Sequence, residues 1–287
     1  KFEDNVKPEK IFYIPEKRSI FGEHLIHQIS KHIGLESLET TFGELYINNK
    51  NKGLYYVSDN FDKYFLLKNN LPEANIYHTD SFGVRLAGSS IEKINKNMFI
   101  GGIKKYKARF NQDIDYFLDV INKDVTYLEK NWEKHFDKEN LIKLLSIYLL
   151  SGTVHYDLHN LYFYINPTNG KIYFFPWDFM NFSNAENLGQ KFNLPGNVDY
   201  KNVNQILTKL LKIGQIRYFR NKFIYENGDN LISYIQKFKN DDLPYIISAM
   251  LTDSTVPLSF AQGQISLLGF MHIPKTIIDN IGYQIQK

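Results

Sequence analysis

Two apolar runs separated by a turn sequence constrain the fold of this chain more than any other feature. Residues 161–165 and 171–175 are rich in aromatic and β-branched side chains, and residues 166–170 between them read Asn-Pro-Thr-Asn-Gly. This pattern predicts a β-hairpin. Because a hairpin returns the chain to its starting end, the residues before its first strand and after its second are expected to lie close together.

Two carboxylates and an amide occupy those two positions. Asp157 and Asn160 precede the first strand in the stretch His-Tyr-Asp-Leu-His-Asn, and Asp178 follows the second strand in Pro-Trp-Asp. Proteins that transfer the terminal phosphoryl group of ATP use one Asp to orient the acceptor hydroxyl, and an Asn with a second Asp to hold the metal. Oxygen ligands of this kind suit Mg²⁺. The spacing therefore predicts a phosphoryl-transfer centre.

Each short motif also has a simpler interpretation. An Asp before a strand is often only a cap, and His-x-Asp occurs by chance, so the prediction depends on the hairpin that joins the two motifs. A zinc site on His155, Asp157 and His159 is a weaker alternative. Alternate residues of an extended segment point the same way, but no further ligand is suggested and the chain has no cysteine.

The composition limits the class of protein. A chain of 287 residues with 43% hydrophobic residues suits one large domain or two lobes that share a cleft. The formal charge of +3 is too small to indicate nucleic-acid binding. The absence of cysteine excludes disulfides. No apolar run reaches the roughly 18 residues that a membrane span requires. The chain starts at Lys1 without Met, so we expect an upstream piece, and a removed leader is allowed.

The first part of the chain is expected to be rich in strands. Apolar residues recur at helical spacing over residues 21–33, and Gly34 ends that helix as a C-cap glycine would. The other elements expected in this part are strands at 44–47 and 53–57 joined by a polar turn, a short helix at 62–69 and an irregular loop at 76–97.

From residue 113 onward the apolar pattern is mostly helical. Asp137 is a plausible N-cap for the helix that leads into the two motifs. The expected helices are 113–123 and 138–150 with an amphipathic piece between them, then, after the hairpin and a loop at 183–202, 203–212, 216–225, 231–238 and 243–251, whereas 265–287 is ambiguous.

This order of elements predicts an α+β chain with a two-lobed protein-kinase-like fold. We expect one domain over residues 1–287, in which 1–62 form a small, partial, strand-rich N-lobe and 63–112 a hinge and insertion. Residues 113–287 would form a helical C-lobe with the β-hairpin at the active site. The cleft between the lobes would hold the nucleotide.

Two stretches resemble the CotH family of spore-coat and cell-surface kinase-like proteins. The first comprises residues 44–49, 53–59 and 61–66, which read ELYINN, GLYYVSD and FDKYFL. The second comprises residues 157–164, which read DLHNLYFY, and the more specific Phe-Pro-Trp-Asp at 175–178. The resemblance spans roughly residues 20 to 240 in order.

The resemblance implies an atypical protein kinase that uses ATP with Mg²⁺ or Mn²⁺ to phosphorylate Ser or Thr of a protein, on the spore coat or another extracytoplasmic surface. Asp157 would be the catalytic Asp, Asp178 the metal-binding Asp, and Asn160 the amide that supports the metal. Two further residues would bind the cofactor, Asp59 as the hinge acid and Glu23 as the partner of a nucleotide-binding Lys. A buried or capping role for Glu23 remains an open alternative.

The sequence departs from the family pattern at three places. Met180 stands where the family usually has a second Asp, and the hinge acid is Asp59 instead of Glu. Only Lys10, Lys17 and Arg18 are candidates for the phosphate-binding cation, and Lys10 alone has some strand context. Without that cation the positioning of the phosphates is incomplete. A kinase-like structural or surface-binding module with weakened catalysis is therefore the first alternative.

A small-molecule phosphotransferase is the further alternative. His-x-Asp-Leu-His also resembles the motif of aminoglycoside and choline kinases. Those enzymes place Asn five residues after the Asp, whereas here Tyr162 occupies that position and the amide comes at Asn160. The spacing therefore favours the protein kinase.

Overall fold

The computed structural model describes residues 9–13, 20–79, 99–101, 112–151, 160, 162–177, 205–254 and 256. The chain is a mixture of helices and two antiparallel sheets, which agrees with the α+β class. The elements are, in order, β1 Lys10–Tyr13, α1 Ile20–His32, β2 Thr40–Ile47, β3 Lys50–Asp59, α2 Lys63–Lys68, β4 Ile76–Thr79, β5 Phe99–Gly101, α3 Gln112–Asn122, α4 Val125–His135, α5 Lys138–Ser151, β6 Tyr162–Ile165, β7 Ile172–Phe175, α6 Gln205–Leu211, α7 Gly214–Asp241 and α8 Leu243–Thr252.

The first sheet has the strand order β1-β3-β2, and both pairings are antiparallel. Asn48 and Asn49 form the turn between β2 and β3 with φ of 51° and 61°. Two successive positive φ angles match the twist of a two-residue hairpin, and Asn tolerates them. The two strands predicted here are confirmed, and both are longer than the apolar runs that indicated them.

The second sheet has the strand order β5-β4-β6-β7. Tyr162 lies opposite Phe175 and Ile165 opposite Ile172, which confirms the predicted hairpin. The prediction for the start of the 76–97 loop was wrong, because residues 76–79 form β4 and pair with β6. The partner strand is distant in sequence, so local composition does not reveal this pairing.

Local capping signals identified the helix ends correctly. The side chain of Asp137 accepts a hydrogen bond of 3.0 Å from the backbone N–H of Asn140, as expected of the N-cap of α5. Gly34 follows α1 with φ +69°, a left-handed conformation that glycine adopts without strain. The amphipathic piece before α5 is the helix α4, capped by Asp124.

Helix α7 is a single helix of 28 residues, whereas the sequence predicted two. The polar stretch Glu-Asn-Gly-Asp-Asn at 226–230 lies between the two predicted helices. Ile224, Gly228, Leu231 and Ile235 are all buried, so the core-facing stripe continues through this stretch at helical spacing. Packing of that stripe therefore outweighs the low helix propensity of the polar residues.

The main core forms where α1 packs against α5, α7 and β2. A smaller cluster joins α2 to the second sheet. Its buried members are Leu38, Phe61, Phe65, Leu66, Ile76, Tyr164, Tyr173 and Phe175. Within the part of the chain that the structure describes, no helix combines the length and the apolarity that a bilayer crossing needs.

The side chain of Asn140 completes the outer edge of β7. Its Oδ1 accepts from the N–H of Phe174 at 2.8 Å, and its Nδ2 donates to the carbonyl of Phe174 at 3.0 Å. The same Nδ2 donates to the carboxylate of Glu36 at 2.8 Å. Burial raises the pKa of Glu36, although the bond from Asn140 opposes this effect. One buried amide thus connects α5, the hairpin and the segment after α1.

Replacement of Asn140 by Ala should destabilise the fold markedly. The substitution leaves the buried N–H and carbonyl of Phe174 and the carboxylate of Glu36 without this partner. We expect the free energy of unfolding, measured by urea denaturation, to fall by about 3 kcal/mol. The matched control is Asn131→Ala, which removes a single bond to the carbonyl of Tyr127 within α4. A loss below about 1 kcal/mol is expected there, and equal losses in the two variants would contradict the proposed importance of Asn140.

Candidate functional site

The register of the hairpin brings the two halves of the candidate site to one end. Tyr162 pairs with Phe175, so Asn160 on one side and Trp177 on the other extend from neighbouring positions. The rings of Tyr162 and Trp177 lie 5.5 Å apart, and Asn160 is buried. The residues next to the two motif segments therefore lie close together at one end of the hairpin.

Several residues in and beside the two motifs lie outside the described residues. This applies to Asp157 and Asp178, to Met180, and to the two histidines of the weaker zinc hypothesis, His155 and His159. Their predicted roles stay predictions. Asn160 is the member of the predicted metal set that the structure describes, and it lies at the expected end of β6.

Phe61 connects the end of β3 to the hairpin. Its ring centroid lies 4.3 Å from that of Tyr162 and 5.8 Å from that of Trp177. Phe61 follows the predicted hinge acid Asp59 by two residues, so a residue close to Asp59 in the chain packs against the hairpin and against Trp177. In the sequence, Phe61 stands out only as part of the stretch that resembles the CotH family. An aromatic residue beside the hinge acid was the available signal, but its partners could not be identified without the fold.

Asp59 is buried and is held by two lysines. It lies opposite Lys10 in the pairing of β1 with β3, and the two side chains form an ion pair. Lys68 Nζ lies 3.9 Å from the other carboxylate oxygen of Asp59. Burial of a carboxylate is costly unless it is paired, so the two lysines account for the position of Asp59 in the core.

One of the three candidates for the phosphate-binding cation lies among the described residues. Lys10 lies in a strand, as the sequence suggested, whereas Lys17 and Arg18 lie outside the described residues. The side chain of Lys10 is 40% exposed although it pairs with Asp59. The structure therefore joins two residues, Lys10 and Asp59, to which the sequence analysis gave separate roles.

Glu23 is fully buried on the first turn of α1, which is one of the placements that the sequence left open. Its Oε1 lies 3.8 Å from Nε2 of His27, one helical turn further along. The distance is longer than a hydrogen bond and corresponds to an electrostatic contact. Whether Glu23 serves a nucleotide-binding cation stays a prediction.

His24 faces the first sheet from the same helix. Its Nδ1 lies 2.8 Å from Oγ1 of Thr40, and its ring packs 5.1 Å from that of Phe42 and 5.7 Å from that of Phe238. Burial lowers the pKa of His24 to about 4, and the nearby charges of His27 and Lys31 act in the same direction. His24 is therefore neutral near pH 7 and acts as a packed ring with one polar bond.

The fold is of the α+β class, and its hairpin joins the two sequence motifs for which a kinase-like protein was predicted. The sequence profile of the family described as CotH kinase protein matches residues 15–239. This match covers well over half of the chain, so the protein belongs to the CotH kinase family. The resemblance seen in the sequence is confirmed.

A curated relative supports the same assignment. The chain is 26% identical over 153 residues to the inner spore coat protein H of Bacillus subtilis (strain 168). The aligned region covers 51% of this chain and 42% of that protein. The chain thus spans less than half the length of this relative.

The buried His24 should make stability depend on pH. The unfolded chain binds a proton at this residue below its ordinary pKa of 6.5, whereas the folded chain does so only below about 4. Stability is therefore complete above pH 6.5 and falls as the pH drops towards 4, by about 3 kcal/mol from this residue. The measurement is urea unfolding of the native protein and of His24→Gln at several pH values. The difference in unfolding free energy between them should shift by that amount, and parallel curves would contradict it.

Proposed function

We propose that this protein is an atypical kinase that transfers the γ-phosphoryl group of ATP to Ser or Thr of a protein, with Mg²⁺ or Mn²⁺. The observation that carries the proposal is the pairing of Tyr162 with Phe175. It fixes the chain beside both motifs, since Asp157 precedes Asn160 by three residues and Asp178 directly follows Trp177. Membership of the CotH kinase family supports the same reaction.

The arrangement of the first sheet supports a nucleotide site next to the hairpin. The chain runs from β3 through Asp59 and Phe61 into α2, and Phe61 packs on Tyr162 and Trp177. Tyr162 and Trp177 are each half-buried. Stacking of a base on an aromatic ring contributes about 1–3 kcal/mol. These rings are the surface that we expect the adenine of ATP to contact.

The donor set fits a hard divalent cation. Asn160 supplies an amide oxygen, and Asp178 supplies a carboxylate one residue beyond the described end of the hairpin. Among the described residues no cluster of three or more His, Cys, Asp or Glu could hold a metal ion. When bound, the cation neutralises charge on the phosphates.

Asp157 would be the catalytic residue of the proposed reaction. It would accept the proton of the substrate hydroxyl and orient that oxygen towards the γ-phosphorus. Because the relative is an inner spore coat protein, we place the proposed acceptor among proteins of a spore coat or another extracytoplasmic surface.

The two acidic motif residues provide the direct test. Asp157→Ala and Asp178→Ala should each reduce incorporation of labelled phosphate from ATP into a protein by at least about a hundredfold, while circular dichroism stays unchanged. The control is Asp119→Ala, since the Asp119 side chain is 65% exposed and pairs only with Lys123 in the described contacts. Its activity should match the native protein. Full activity in either motif variant would rule out the proposed mechanism.

Binding without transfer would favour the alternative of a kinase-like surface module. A ligand at 100 times its dissociation constant stabilises a protein by about 2.7 kcal/mol, so a thermal shift with ATP and Mn²⁺ detects the nucleotide site independently of catalysis. If the protein releases ADP with small-molecule acceptors but not with proteins, it is a small-molecule phosphotransferase instead.

A further inference from the structure

The ring of Tyr162 lies between two other aromatic rings. His78 is opposite Tyr162 in the pairing of β4 with β6, and their ring centroids lie 4.9 Å apart with the planes inclined by only 14°. The ring of Phe61 lies 4.3 Å from that of Tyr162 at an angle of 28°, and it also stacks at 5.8 Å on Phe175, the partner of Tyr162 in β7. Because β6 lies between β4 and β7 in the sheet, His78 and Phe61 cover opposite faces of Tyr162.

Strand β4 brings His78 to the end of the sheet at which the two motif segments meet. Ile76 pairs with Tyr164 and His78 with Tyr162, so the last residues of β4 lie beside the start of β6. Asn160 precedes Tyr162 by two residues. A described contact therefore connects His78 to the ring that we expect to form part of the nucleotide site.

His78 lies on the same face of the sheet as the rings of the proposed nucleotide site. Successive residues of a strand point to opposite faces. The neighbouring Tyr77 stacks at 5.2 Å on Phe163, and both pack in the main core. Ile76, two residues before His78, belongs to the smaller cluster, against which Tyr162 and Trp177 pack. The position of His78 in β4 thus places its ring beside the site and not in the main core.

We propose that His78 is a positioning residue of the nucleotide site, because it holds the ring of Tyr162 in place from the side of β4. With both faces of Tyr162 covered, the base of ATP meets the edge of that ring, and edge-to-face contact is a favourable geometry for aromatic rings. His78 acts through Tyr162 and does not touch the nucleotide. The role requires the flat ring of His78 and not its charge. The proposal rests on the proposed function and deepens it.

A second stack of His on Tyr provides a matched control. The rings of His32 in α1 and Tyr234 in α7 lie 4.2 Å apart with an angle of 24° between their planes. His32 Nε2 also lies 3.1 Å from Oδ1 of Asn230 in α7. The residue types and the stacking geometry are the same as for His78 and Tyr162, but this stack joins two helices and contains no residue of the second sheet.

The test compares His78→Ala with His32→Ala by calorimetric titration with ATP and Mn²⁺. Loss of one aromatic pair changes an equilibrium constant by roughly twofold to tenfold. His78→Ala should therefore weaken ATP affinity about fivefold, whereas His32→Ala should lower the thermal midpoint without changing that affinity. His78→Phe retains a flat ring and should restore the affinity to within about twofold of the native value.

An unchanged affinity in His78→Ala, an equal loss in His32→Ala, or no rescue by His78→Phe would each overturn the proposal. If His78→Ala does not fold, His78→Leu replaces it, because leucine fills the space beside Tyr162 without a flat ring. The same loss of affinity is expected, and an unchanged value again overturns the proposal.

Steady-state kinetics separate this proposal from the proposed kinase activity. A contact with the base is made equally in the ground state and the transition state, so His78→Ala should raise KM for ATP about fivefold and leave kcat unchanged. A fall in kcat at unchanged KM would overturn the positioning role. If the native protein binds ATP but transfers no phosphoryl group, the kinase proposal fails and the titrations still decide the role of His78. A native protein that does not bind ATP overturns both.

Discussion

The amide of Asn140 at the edge of β7 is the interaction on which the arrangement of the molecule depends. An edge strand leaves backbone groups that require partners, and here one side chain satisfies both polar groups of Phe174. Its second contact, to Glu36, ties the segment after α1 to the same point. Because Glu36 follows α1 and the hairpin leads to the two motifs, this buried side chain connects the end of α1 to the hairpin.

Local sequence patterns predicted the elements whose causes are local. The turn at 166–170 indicated the hairpin, and Asp137 and Gly34 marked helix ends, because capping and turn geometry depend on a few neighbouring residues. Strand β4 was missed, since its partner Tyr162–Ile165 lies far along the chain. The continuity of α7 was missed for a similar reason, because its buried stripe, and not its local propensity, keeps it intact.

The same distinction applies to the candidate site. The sequence indicated Lys10 and Asp59 separately, but their pairing depends on the register of two strands that local patterns do not specify. The apolar spacing of α1 indicated a core-facing side with residues such as Leu25 and Ile29, and it left a buried or a capping role open for Glu23. The helix is covered by α5, α7 and β2 together, and this places Glu23 in the interior.

The two histidines of α1 lie in different surroundings although they are three residues apart. His24 packs on aromatic rings of the first sheet and α7, and its lowered pKa keeps it neutral at physiological pH, so it acts mainly through packing. His27 lies between a hydroxyl and a carboxylate, so its polar contacts and not its packing distinguish it. Although residues three positions apart lie on the same side of a helix, the two side chains contact different groups, Thr40 for His24 and Ser37 for His27.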